Sequence, residues 1–133
     1  MKGFVDDIEK LTEENSDYRR VLYTGKHVQL MLMSLAPGEE IGEEVHKNND
    51  QFFRVEKGNG EVWIDGKQTR IKGDDAIVVP AGARHNVINS GHKPLKLYTL
   101  YSPPHHRDGF NATTKAEAEA STEHFDGKTT ERS

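Results

Sequence analysis

PGEEIGEEVHKNNDQFFRVEKGNG, residues 37–60, is the stretch from which the rest of the chain can be read. Pro37-Gly38 opens it with a turn and Gly58-Asn59-Gly60 closes it with another, so what lies between reads as short extended runs. Glu44 and His46 are two apart and leave the same face of a strand. A turn over Lys47–Asp50 reverses the chain, and Gln51 opens the strand that pairs back alongside the first. Two neighbouring antiparallel strands thereby aim a carboxylate, an imidazole and an amide oxygen at one point. A second stretch, GDDAIVVPAGARHNVIN (residues 73–89), completes the pattern. A buried IVV strand ends at Pro80, a glycine turn reverses the chain, and His85 begins the returning strand.

Outward from these two stretches the texture is uniform. Short runs rich in Val, Ile, Leu and aromatics alternate with turn signals, which predicts strands at 19–24, 28–36, 44–46, 51–56, 60–65, 68–71, 76–79, 85–89 and 95–101. The Asp65-Gly66 pair marks the clearest hairpin. VQLMLMSL is apolar on both faces and belongs in the middle of a sheet. Many short strands without intervening helices predict an antiparallel sandwich or barrel. Phe4, Ile8 and Leu11 predict a short amphipathic helix within 4–14 on the outside of the domain. The Ala- and Glu-rich segment 111–125 predicts another, with Thr113 or Thr114 as its cap.

Of 28 Leu, Ile, Val and Phe residues, 22 fall in 21–101, whereas 105–133 holds only Phe110 and Phe125. The expected organisation is therefore an N-terminal helical arm (1–17), a β-barrel (18–104) and a polar C-terminal arm (105–133). The formal net charge of −4 excludes a broad basic face for nucleic acid. With no cysteine in the chain, disulfides, thiolate metal sites and a Cys nucleophile are excluded. MKGFVDDIEK has acids where a signal peptide needs an apolar run, and no long apolar stretch follows, so a cytoplasmic protein without membrane contact is expected.

The two quoted stretches resemble the paired motifs of the cupin superfamily, small jelly-roll β-barrels. The first reads Gly38-x5-Glu44-x-His46-x4-Gln51-x6-Gly58 and the second Pro80-x-Gly82-x2-His85-x3-Asn89, with Asp74 where the family has a glycine. The resemblance spans roughly residues 28–101. The family pattern has two histidines and a glutamate at the three ligand positions of the first motif, and this chain keeps only the second histidine. The resemblance implies an all-β antiparallel jelly-roll barrel with a divalent metal held by Glu44, His46, Gln51 and His85. A glutamate in place of the first histidine preserves ligand capacity. At the third position Asp50 rivals Gln51, since the family tolerates a three- or four-residue gap, and the six-residue spacer to Gly58 favours Gln51.

Two imidazoles, a carboxylate and an amide would leave a divalent ion with net charge +1, suited to an anionic or polyhydroxy ligand. Ligation without sulfur favours Mn²⁺, Fe²⁺, Ni²⁺ or Zn²⁺. The resemblance implies a metal-dependent enzyme on a small oxygen-rich molecule, with sugar or sugar-acid isomerisation or ring opening first. An iron-dependent dioxygenase and a non-catalytic ligand-binding or sensing cupin are the alternatives. Tyr98, Tyr101, Arg54, Arg84 and His27 are candidates for moving a proton, as residues that could border a barrel opening. His105-His106 reads as a solvated linker, because adjacent residues point apart on an extended chain. Trp63, Phe52 and Phe53 read as core or interface. A homodimer is expected, through strand 19–24 or the 105–125 arm.

Overall fold

In the computed structural model, which describes residues 1–131, the turn signals fall where the chain reverses. The elements are α1 (Ile8–Glu14), β1 (Arg19–Thr24), β2 (Gln29–Leu35), β3 (Glu44–Val45), β4 (Asp50–Lys57), β5 (Asn59–Ile64), β6 (Lys67–Lys72), β7 (Ala76–Val79), β8 (Arg84–Ile88), β9 (Leu95–Ser102), β10 (Asn111–Ala112) and α2 (Lys115–Ala120). The strands form two sheets, of order β10-β1-β2-β9-β4-β7 and β3-β8-β5-β6, and every described pairing is antiparallel. This is the jelly-roll barrel that the sequence predicts, with the ends of the nine predicted strands moved by no more than one residue. β2 lies inside the larger sheet, as its two apolar faces require.

Strand alternation sorts the side chains. Along β9, Leu95, Leu97, Thr99 and Tyr101 are buried between the sheets, while Lys96, Tyr98 and Leu100 lie on the outer face. Phe53 and Val55 of β4, Met31, Met33 and Leu35 of β2 and Val87 of β8 fill the same interior. The β5–β6 hairpin turns at Asp65 (φ 46°) and Gly66 (φ 83°), the left-handed pair that suits the twist of flanking strands. Asp74 stands at φ 77°, so it adopts the conformation for which the family keeps a glycine.

Both helices are shorter than the segments that predict them. Asp7 and Thr114 cap them, and each chain end leaves the helix in an extended conformation. α1 lies against β2, β4 and β9, and the Lys96 ammonium donates to the Asn15 carbonyl.

The C-terminal segment is woven into the barrel. β10 pairs with β1 through Arg19 opposite Ala112 and Arg20 opposite Asn111. The Thr24 N–H donates to the Thr130 hydroxyl at 2.7 Å, and Glu131 accepts from the Lys2 and Gly3 N–H groups and the Tyr23 hydroxyl. The free edge of strand 19–24, expected to pair with a second copy, is thus lined by the chain's own tail. No helix among the described residues is long and apolar enough to cross a membrane.

Candidate metal centre

Glu44 on β3 and His85 on β8 are direct cross-strand partners in the smaller sheet. His46 follows two residues after Glu44. One ligating atom from each of the three lies within 4.8 Å of the others. Donors each about 2.1 Å from one ion lie no more than roughly 4.2 Å apart, so the trio stands close to a ligating arrangement. From the facing sheet Gln51 enters on β4, opposite Tyr101 of β9 and Val79 of β7.

The polar atoms here are set up for a cation. His85 is 1% exposed, and its Nδ1 lies 3.3 Å from the Ala83 carbonyl oxygen, which it can reach only as a donor. Its Nε2 then carries a lone pair, and that atom is buried without a partner. His46 Nε2 and Gln51 Oε1 are likewise buried and unpartnered. His46 Nε2 lies 3.7 Å from Glu44 Oε2, close without being a hydrogen bond. Buried polar atoms are normally satisfied, so two orphaned imidazole nitrogens grouped with one carboxylate fit a divalent ion, and the orphaned Gln51 oxygen is a further donor on the facing sheet.

Gln51 and Asp50 separate cleanly. Gln51 is 3% exposed and turned inward, its Nε2 donating to Thr99 Oγ1 at 3.0 Å. Asp50 is exposed on the other face, where its carboxylate accepts the Ala81 N–H at 2.9 Å and pins the turn before β8.

Of the residues named for proton transfer, Tyr101 alone is buried in this interior, and the others lie on outer faces or in a turn. Tyr98 packs on Phe52 outside the larger sheet, ring centroids 6.3 Å apart. Arg54 is tied there to Glu56 and Asp74. Arg84 is exposed beside Glu43, and His27 is exposed in a turn. Phe53 is core, whereas Trp63 and Phe52 lie on outer faces.

The solvated-linker reading of His105-His106 is overturned. His106 is 5% exposed, and the His105 ring stands 4.4 Å from that of His46. The cause is Gln29, fully buried on β2, whose Oε1 accepts the His105 and His106 N–H groups at 3.1 and 2.9 Å. Its Nε2 donates to the His106 carbonyl at 2.8 Å. Both rings are drawn onto Tyr101, at centroid distances of 5.2 and 5.1 Å. A glutamine inside the apolar run VQLMLMSL is the sequence signal for this, because a buried amide demands partners. Arg19, with Nη2 at 3.7 Å from Glu44 Oε1 and its Nε buried and unpartnered, is a further neighbour that the sequence reading missed.

Burial and neighbouring rings keep His46 and His105 neutral. Burial first, and then the His105 and His85 rings, hold His46 down at about 3. Burial, and then His106, hold His105 at about 4. Both lie below the unfolded value of about 6.5, so between these limits the unfolded chain binds more protons. Chelator-treated protein should therefore keep a constant melting temperature above about pH 7 and lose stability as pH falls from about 6.5 toward 4. Thermal melts across that range check this, and a melting temperature flat down to pH 5 contradicts it.

Comparison with known proteins agrees with the geometry. The cupin domain family model matches residues 31–101, and the chain belongs to that family. YrkC of Bacillus subtilis, a protein described as uncharacterised, is 51% identical over 126 residues, which cover 90% of this chain and 67% of YrkC. The crystal structure of BH2720 from Bacillus halodurans is 46% identical with a TM-score of 0.89, covering 90% of this chain and 96% of that one. The tetracenomycin polyketide synthase protein TcmJ of Streptomyces glaucescens is 32% identical over 71 residues, 53% of this chain and 48% of TcmJ.

Proposed function

We propose that this cupin is a metal-dependent enzyme acting on a small, anionic, oxygen-rich molecule, with sugar or sugar-acid isomerisation or ring opening the favoured reaction. Glu44, His46, Gln51 and His85 would hold a divalent Mn, Fe, Ni or Zn ion. The observation that carries this reading is the pair of buried, unpartnered imidazole nitrogens of His46 and His85 grouped with the Glu44 carboxylate. When bound, such an ion supplies Lewis-acid polarisation of a carbonyl or hydroxyl oxygen.

The chain's own residues supply the rest. Arg19 adds a guanidinium beside Glu44 and favours an anionic group there. The half-buried His105 ring, neutral at pH 7 and packed against His46, is placed to take up a proton at its free nitrogen. The fully buried Tyr101 ring closes the interior side and excludes water.

An iron-dependent oxygenase is the second reading, favoured by the set of two histidines and one carboxylate. Protein purified without chelator or affinity tag should contain near-stoichiometric metal. With sugar acids in D₂O, NMR should show exchange at the carbon beside the carbonyl. Oxygen consumption in place of exchange favours the oxygenase, and ligand-induced stabilisation without turnover favours a sensing protein. Asp50→Ala should leave metal content nearly intact, whereas Gln51→Ala should weaken binding. Elemental analysis giving the reverse would overturn the Gln51 assignment. We further propose that the protein pairs as a homodimer, which light scattering tests.

A further inference from the structure

Glu123, beyond α2, reaches back into the barrel. Its Oε1 lies 2.6 Å from His106 Nδ1, and its Oε2 accepts the Arg107 N–H at 2.6 Å. Burial opposes the charge, yet the bonds from His106 and Arg107 hold the Glu123 carboxyl below its usual range, so it is an acceptor only. A His106 ring with a single proton then carries it on Nδ1 and presents a lone pair at Nε2. That Nε2 is 3.3 Å from the Tyr101 hydroxyl, which must donate to it. The phenol oxygen is left as an acceptor, on the residue of β9 that is the direct cross-strand partner of Gln51.

This bears on an ambiguity at Gln51. Thr99 Oγ1 can give or receive a hydrogen bond, so it does not decide which end of the Gln51 amide faces it. Tyr101, with its proton committed to His106, can only receive. The NH₂ end is therefore drawn toward Thr99 and Tyr101, and Oε1 is turned to the site.

We propose that Glu123 and His106 are positioning residues that set the orientation of the Gln51 amide, so that the C-terminal arm determines whether an oxygen or an NH₂ group faces the cation. The proposal rests on the reading of Gln51 Oε1 as a metal ligand.

Glu123→Gln inverts the chain of donors. With its oxygen on Arg107 N–H, the new amide offers NH₂ to His106 Nδ1, which moves the ring proton to Nε2. Tyr101 then receives from His106 and donates toward Gln51, which favours the flipped amide. Co²⁺ titration of the full-length, chelator-treated protein should show E123Q binding about tenfold more weakly than the parent. In a Q51E background both ends of residue 51 are oxygens, so adding E123Q should change affinity less than about twofold. Nitrogen NMR of the His106 ring should show the proton on Nδ1 in the parent and on Nε2 in E123Q. Unchanged affinity in E123Q, an equal loss in both backgrounds, or a parent ring protonated on Nε2 or on both nitrogens overturns the proposal. A parent protein that binds no Co²⁺ defeats the metal reading itself, and the ligand end of this proposal with it.

Discussion

His85→Ala should abolish stoichiometric metal binding, with Co²⁺ or Mn²⁺ affinity falling by more than about 100-fold, beyond what outer partners of a metal site contribute. The residue is one of two imidazoles among the candidate ligands, and its ring is fixed in place before any ion arrives. Strand β8 holds its backbone opposite Glu44 and Ile64, and the Ala83 carbonyl leaves its Nε2 as the acceptor. Alanine leaves one imidazole, one carboxylate and a neutral amide, a set with weak hold on a borderline cation. Because an ion bound only by the folded state stabilises it by RT ln(1 + [L]/Kd), saturating metal at 100 times Kd should add about 2.7 kcal/mol to the parent. The variant should melt at the same temperature with and without metal. Elemental analysis and paired melts read both effects, and retention of a full equivalent of metal by the variant would move the centre elsewhere.

Phe53→Ala should be the most damaging substitution for stability, at about 3–5 kcal/mol. The ring is fully buried on β4 between the sheets, opposite Thr99 and Ile77, with its centroid 6.3 Å from that of His85. Its removal leaves a cavity walled by two hydrogen-bonded sheets, which have little freedom to collapse into it. For a chain of this length the loss corresponds to a fall of roughly 10–18 °C in melting temperature. The slackened neighbour is His85, so metal affinity should fall as well. Phe52→Ala, one residue earlier and on the outer face, removes a half-buried ring and should cost about 1 kcal/mol or less. Urea denaturation of the two variants measures the contrast, and comparable costs at both positions would contradict the inward and outward assignment of β4.

The barrel was legible because its signals are local. Pro37-Gly38, Asp65-Gly66 and Ala81-Gly82 punctuate the chain at its reversals, and two-residue alternation on β9 assigns faces without knowledge of partners. The same alternation put Gln51 inward and Asp50 outward once the strand register was known. Spacing put Glu44 and His46 on one face, and the resemblance added His85 to them. The arm was opaque for the opposite reason. His105 and His106 sit after Pro103-Pro104, in a segment with no period to read, and their direction is set by Gln29, 76 and 77 residues away in sequence. Glu123, 17 residues beyond His106, returns to it from the far side of β10, which pairs with β1. α1 fell short of its pattern because Asp7 caps it and starts it late, whereas α2 starts at the expected cap Thr114 and ends early, at an extended Ser121.

The seating of β10 on β1 also bears on how the chain avoids self-templating. With the tail in place, the other edge of the larger sheet is β7, a four-residue strand that stops at Pro80 and so offers a growing fibril little backbone to copy. A chain cut after Pro104 would uncover the Arg19–Thr24 ladder, a longer run with Val21, Leu22 and Tyr23 at its centre. Such a fragment would keep the motif positions that define the barrel while acquiring a sticky flank, and aggregation rather than unfolding would be its first failure.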